Sequence, residues 1–242
     1  MASYPELAGK VVAITGAVGN VGLATVQRLR DEQMRLVLID RSAERAHDSF
    51  AALGLTDQNA LAVGADVTQK ADAERAIAEI VAHFGRIDAL VNVAGTWRPA
   101  KPAEALDVDG WDFMMNINAR SVFLMSGAAA HQLIKQGGGG RIVTVSSRSG
   151  LRGEAGNIGY SASKSAALRV TETLAAELMP HGITVNAILP STIDTPQNRE
   201  GMPKADHSRW VAPDSLAATI AFLLSDGARD ISGASIPVYG RA

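Results

Sequence analysis

Lys10–Asp31 reads KVVAITGAVGNVGLATVQRLRD, and this stretch decides the architecture. Lys10 to Thr15 is a short β-branched run of the kind that forms a buried strand, and it stops at glycine. Thr15 to Gly22, TGAVGNVG, is a glycine-rich turn. From Val21 to Asp31, Val21, Ala24, Thr25 and Leu29 fall near one face of a helix. Strand, glycine turn and helix in direct succession predict a βα unit. The glycines allow a tight turn, and the helix N-terminus supplies free N–H donors and the positive end of a dipole.

Forward of this unit the alternation repeats. Arg35 to Ile39 predicts a strand ending at Asp40, and a helix follows over 42–53. Ala60 to Gly64 is strand-like and leads into Asp66 and Val67. Ala71 to Phe84 has an apolar helical side formed by Ala76, Ile77, Ile80, Val81 and Phe84. Ile87 to Val93 is a buried-type strand ending in the sequence Asn92-Val93-Ala94-Gly95. A loop over 96–102 precedes a long helical segment from Glu104 to Gln136, with a bend near Asn116 to Ser121. A four-glycine turn leads to the strand Arg141–Val145. Tyr160–Met179 is helical, Ile183 to Leu189 a strand, 196–211 irregular, Pro213 to Leu224 helical and Ser235 to Tyr239 a strand. Seven short apolar strands alternating with about six helices predict an α/β fold. It is a single domain over residues 1–242 of the Rossmann type, a doubly wound seven-stranded parallel sheet with helices on both faces. There is no composition break and no internal repeat.

The composition excludes several classes of function. With 47% apolar and 20% charged residues, the chain reads as a soluble globular protein. The net charge of −2 gives no reason to expect a nucleic-acid or membrane partner. The absence of cysteine rules out disulfides, thiolate catalysis and zinc–thiolate sites. The five histidines are scattered, so no metal site is expected. MASYPELAGK has no apolar signal core and no later run has the length of a membrane span, so a cytoplasmic location is expected.

The chemistry-bearing stretch is Ser146–Lys164, SSRSGLRGEAGNIGYSASK. Tyr160 and Lys164, four residues apart, share one face of a helix. A free tyrosine titrates near 10, and a nearby ammonium lowers that value, which would make the phenol a usable general acid/base. Ser147 ends the apolar run Ile142–Val145, at the mouth of the sheet where α/β folds bind ligands. Asp40 lies 18 positions after Gly22, close to where a Rossmann unit places the carboxylate that bonds the adenosine ribose. A carboxylate there repels a 2′-phosphate and argues for NAD(H). Arg41 next door can receive that phosphate, so NADP(H) stays open. Asp40 also reads as a cap for the following helix.

Taken together, these motifs resemble the short-chain dehydrogenase/reductase family, over nearly the whole chain. TGAVGNVG is similar to the family's glycine motif, which implies that Gly16, Gly19, Asn20 and Val21 meet the cofactor. Asp66 and Val67 stand where the family brackets the adenine. Asn92, Ala94 and Gly95 resemble its Asn-Asn-Ala-Gly motif. Asn118 in NINARSVF matches its helix asparagine, and Ser147, Tyr160 and Lys164 match its catalytic residues. Pro190 to Thr195, with Ile193, resembles the segment that grips the nicotinamide carboxamide. The resemblance implies hydride transfer between nicotinamide C4 and a small-molecule carbonyl compound or secondary alcohol. Tyr160 would handle the proton, Ser147 hold the substrate oxygen, Lys164 bond the nicotinamide ribose, and Asn118 fix a relay water. Three positions depart from the family's pattern: Asn20 and Ser191 replace glycines, and Val93 replaces an asparagine.

A narrower resemblance covers Ile193 to Pro213, part of an expected substrate lid at about 191–212. This stretch is similar to that of dihydropteridine reductases, a branch that typically lacks the serine kept here as Ser147. Trp97, Arg98, Arg148, Arg152, Glu154 and Asn157 are placed to line the substrate pocket. The arginines read equally as receivers of an anion or as solvated surface charges. The family commonly assembles through its two long helices and C-terminal strand, which implies a homotetramer or homodimer. The enzyme alternatives are a 3-oxoacyl-thioester reductase and a dihydropteridine-type reductase. The non-enzyme alternative is a dinucleotide-binding regulator. Such relatives tend to have lost the tyrosine or lysine, and both are present here.

Overall fold

The computed structural model describes residues 4–241. Seven strands form one sheet in which every pairing is parallel: β1 Val11–Thr15, β2 Arg35–Asp40, β3 Ala60–Gly64, β4 Ala89–Asn92, β5 Gly140–Val145, β6 Ile183–Pro190 and β7 Ser235–Val238. Their order is β3-β2-β1-β4-β5-β6-β7. The chain winds outward from β1 through β2 to β3, then crosses back to place β4 on the other side of β1. That reversal opens a crevice at the C-terminal ends of β1 and β4.

Alternate residues of the central strands face opposite layers. Val12, Ile14, Leu36, Leu38 and Val91 join one apolar cluster with Val26 and Leu29 of α1 (Asn20–Asp31) and Leu216 and Ile220 of α8 (Pro213–Leu224). Val11, Ala13, Val37, Ile39 and Leu90 join the other, with residues of α3 (Lys70–Phe84), α5 (Ser121–Gln136) and α6 (Ile158–Leu178). Burial on both faces explains why the strands read as unbroken apolar runs.

Four local expectations are corrected. The segment expected as one helix from 104 to 136 is a 3₁₀ turn at Ala103–Ala105, α4 at Val108–Met115, a π turn at Asn116–Arg120 and α5. Leu106, at φ +46°, separates the first turn from α4. The strand expected from Ile87 to Val93 pairs only over Ala89–Asn92. The lid is not irregular throughout. Thr195 Oγ accepts from Asn198 N (3.2 Å), and with Pro196 it starts α7, Pro196–Gly201, while a 3₁₀ turn forms at His207–Arg209. The helix after β2, α2 at Ala43–Ala52, is capped by Ser42, whose side chain accepts from Arg45 N. Asp40 instead accepts from Ser42 N at 3.4 Å.

Candidate active site

The glycine turn joins β1 to α1 at the crevice. Gly16 adopts φ +63°, and a Cβ there would lie 2.9 Å from Ala94 Cα, so glycine is required for the turn to pack on the loop after β4. Thr15 Oγ1 fixes that loop from the other side by accepting from Val93 N and Ala94 N, both at 3.1 Å. Gly19 stands at the cap position of α1 and brings no side chain to its first turn. The N–H groups and dipole of the helix therefore suit an anion such as a pyrophosphate.

Asp40, at the end of β2, is partly exposed, and Arg45 of α2 stands 3.8 Å from its carboxylate. Arg41 is exposed. Asp66 Oδ1 accepts from Thr68 N (3.0 Å) and Thr68 Oγ1 (2.7 Å), which holds the loop after β3 beside buried Val67. Asn92 points into the fold. It is buried, its Nδ2 donates to Ser126 Oγ at 2.9 Å, and its Oδ1 has no partner among the described residues. Ala94 and Gly95 carry the crevice edge instead.

The catalytic candidates meet around the start of α6. Ser147 ends the chain's run out of β5 in extended conformation (φ −165°), and its Oγ accepts from Ser149 N at 3.1 Å. Ser146 Oγ donates to Lys164 O (3.1 Å) and Ser165 Oγ to Gly150 O (2.6 Å), so this turn is bound directly to α6. The side chain of Lys164 is buried. Its Nζ donates to Val145 O at 3.0 Å and lies 5.9 Å from the Tyr160 ring centroid. Asn118, fully buried in the π turn, accepts from Thr96 N and donates to Thr96 O, both at 3.0 Å, and donates to Ser163 Oγ at 3.1 Å. A Cβ on Gly95 would sit 2.8 Å from Asn118 Oδ1 and 3.1 Å from Lys164 Nζ. Gly95, Asn118 and Lys164 are therefore immediate neighbours.

The expected lowering of Tyr160 by Lys164 is not what this geometry produces. Burial pushes the Tyr160 phenol up, the Ser147 hydroxyl opposes that by hydrogen bonding, and the charge of Glu154 adds to the rise. Burial also brings Lys164 itself down to about 8. The Lys164 ammonium, with its Nζ on Val145 O, does not offset the cost of burying the phenolate.

Around the mouth, Trp97 Nε1 donates to Asn157 Oδ1 at 2.7 Å, and Ala100 N to Gly156 O at 3.1 Å. The loops after β4 and before α6 thus form one wall. A cavity of about 470 Å³ beside Tyr160 is lined by Trp111, Met114 and Ile158 among others. The arginines do not converge on an anion site. Arg98 stacks on Phe113 (3.6 Å to the ring centroid), Arg148 lies 5.7 Å from the Tyr239 ring, and Arg152 is exposed. Pro190 ends β6, Ile193 bridges to Val211, and buried Thr195 caps α7. Sequence reading passed over Thr15, Thr96, Ser163 and Arg45. Ser163 had a readable signal, three residues after Tyr160 on the same helix.

The chain matches the short chain dehydrogenase family over residues 10–205. It is 34% identical to the D-threitol dehydrogenase of Mycolicibacterium smegmatis, over 97% of this chain and 93% of that protein. It is 33% identical to the 3-oxoacyl-acyl-carrier-protein reductase FabG of Thermotoga maritima, over 97% of this chain and 98% of that protein. The crystal structure of an NAD+-bound xylitol dehydrogenase superposes with a TM-score of 0.87 at 29% identity, covering 97% of this chain and 99% of that one.

Proposed function

The chain belongs to the short-chain dehydrogenase family, whose members oxidise alcohols and reduce carbonyl compounds, and we propose that it works with NAD(H) on a secondary alcohol, of the polyol or cyclic-alcohol kind. The observation that carries this reading is the gathering of Ser147, Tyr160, Lys164 and Asn118 at one end of the crevice, next to an uncapped helix N-terminus. The bound nicotinamide supplies the hydride donor or acceptor. Tyr160 gives a proton to the carbonyl oxygen in reduction and takes it from the hydroxyl in oxidation. Ser147 holds the same oxygen by hydrogen bonding. Its Oγ accepts from Ser149 N and its hydroxyl bonds Tyr160 in the free protein, and the substrate oxygen would share that donor. Lys164 would bond the nicotinamide ribose and Asn118 beside it would fix the relay water. Burial keeps the phenol protonated at neutral pH in the free protein, which suits the reductive proton transfer.

Gly16, Gly19, Asn20 and Val21 hold the pyrophosphate, Asp66 and Val67 the adenine, Ala94 and Gly95 the ribose side. Pro190, Ile193 and Thr195 hold the carboxamide. Asp40 takes the adenosine ribose, and its carboxylate supports NAD(H) over NADP(H). Trp97 and Asn157 form the substrate wall. Location in the cytoplasm and a homotetramer or homodimer complete the proposal. No helix among the described residues is long and apolar enough to cross a membrane. Exposed Phe123 and Ile134 on α5 and Ile158 on α6 support a subunit contact.

A second reading, reduction of a 3-oxoacyl thioester, is favoured by the likeness to the Thermotoga maritima protein and by Arg41 and Arg45 beside Asp40. Titration with NADH and NADPH separates the two. The expected result is tighter NADH binding, with Asp40→Ser shifting the preference toward NADPH by at least about tenfold, because it removes a charge repulsion and exposes both arginines. Tighter NADPH binding by the unaltered protein would favour the thioester reading.

A further inference from the structure

Two of the three positions where this sequence departs from the family's pattern carry polar side chains that tie the lid to the body of the fold. Ser191 Oγ donates to Tyr239 O at 2.7 Å, which fastens the base of the lid beside the end of β7. The far end is held by the C-terminal residues, with Arg241 N donating to Arg209 O and Arg209 Nε donating to Arg241 O, both at 3.0 Å. Asn20 makes the third tie. It stands on the first turn of α1, and its Nδ2 donates to Gln197 Oε1 at 2.9 Å on the first turn of α7, 177 positions away in the chain.

α1 and the lid leave the same edge of the sheet, after β1 and β6. The Asn20–Gln197 bond therefore crosses the mouth of the crevice beside the α1 N-terminus, and glycine at position 20 could not make it. We propose that Asn20 and Gln197 form a latch over the dinucleotide crevice that sets the rate at which the cofactor exchanges. This rests on the dinucleotide reading given above. Asn20 also stands at the proposed pyrophosphate site, so Gln197, which has no part there, isolates the latch as a positioning residue acting through the lid. The bond is exposed, so it competes with water, and a net hydrogen bond of that kind changes an equilibrium by a factor of about 2 to 10. Lid opening commonly limits product release, so a contact of this size is large enough to appear in turnover.

The test is NADH dissociation measured by stopped-flow fluorescence for the unaltered protein, Asn20→Gly, Gln197→Met and the double variant, with thermal unfolding run alongside. Each single variant is expected to release NADH about three- to tenfold faster, and the double variant no faster than the faster single. Unchanged release rates overturn the latch, as does a double variant whose effect is the product of the two singles. If Asn20→Gly does not fold, Gln197→Met against the unaltered protein decides alone. If the unaltered protein binds neither NADH nor NADPH, the dinucleotide reading fails first and the latch falls with it.

Discussion

Lys164 sits where burial works against its charge. Its ordinary value of 10.5 falls to about 8, with burial as the cause. The unfolded chain then holds more protons than the folded one between about pH 8 and 10.5. Stability attributable to this group therefore rises with pH across that window, and its full cost is present below pH 8. Replacing it with methionine should remove that rise. Urea unfolding at pH 7 and pH 10 should show the unaltered protein gaining on Lys164→Met by as much as about 3 kcal/mol. Burial raises Tyr160 above its ordinary value of 10.0, and both proteins contain it, so the difference between them reads Lys164. An equal response of both proteins to pH would mean that Lys164 is solvated in solution. At this scale the sequence was informative about which residues come together and less so about their surroundings. Tyr160 and Lys164 were legible from their spacing. The direction of their titration was not, because burial is a property of the packed fold.

At the scale of elements, the central strands were the most legible because both their faces are buried and their apolar runs stand out. The π turn at Asn116–Arg120 was readable only as a bend, since a single wide turn has no residue signature of its own. Its consequence is specific: it sets Asn118 opposite Ser163 and Thr96. The α7 helix was hidden because its six residues, PQNREG, have no apolar face, and its existence depends on the Thr195 cap and Pro196. Thr195→Ala should therefore fray α7, at a cost of about 1 kcal/mol. Hydrogen exchange checks this. Amides at 198–201 should lose protection while those of β1 and β5 keep theirs, and unchanged protection at 198–201 would show that the cap is dispensable.

The whole molecule joins one sheet, two apolar layers and one crevice, and the crevice lies where the winding reverses between β1 and β4. The doubly wound plan follows from the alternation of strands and helices along the chain, while the strand order and the place of the reversal are seen only in the folded sheet. What covers the exposed apolar side chains of α5 does not follow from that alternation, since a solvent-facing helix and a subunit contact can share one pattern. Phe123 is 58% exposed. In the proposed assembly Phe123→Glu should lower the mass seen by light scattering to that of a monomer, and an unaltered mass would place the contact elsewhere. The central claim is that this crevice performs hydride transfer with Tyr160 as the proton-carrying group. The most direct measurement follows NAD+ reduction by absorbance with a panel of polyols and cyclic alcohols, comparing the unaltered protein with Tyr160→Phe and titrating both with NADH. The account predicts turnover by the unaltered protein, none by Tyr160→Phe, and NADH binding nearly equal in the two. Near-normal turnover by Tyr160→Phe would contradict it.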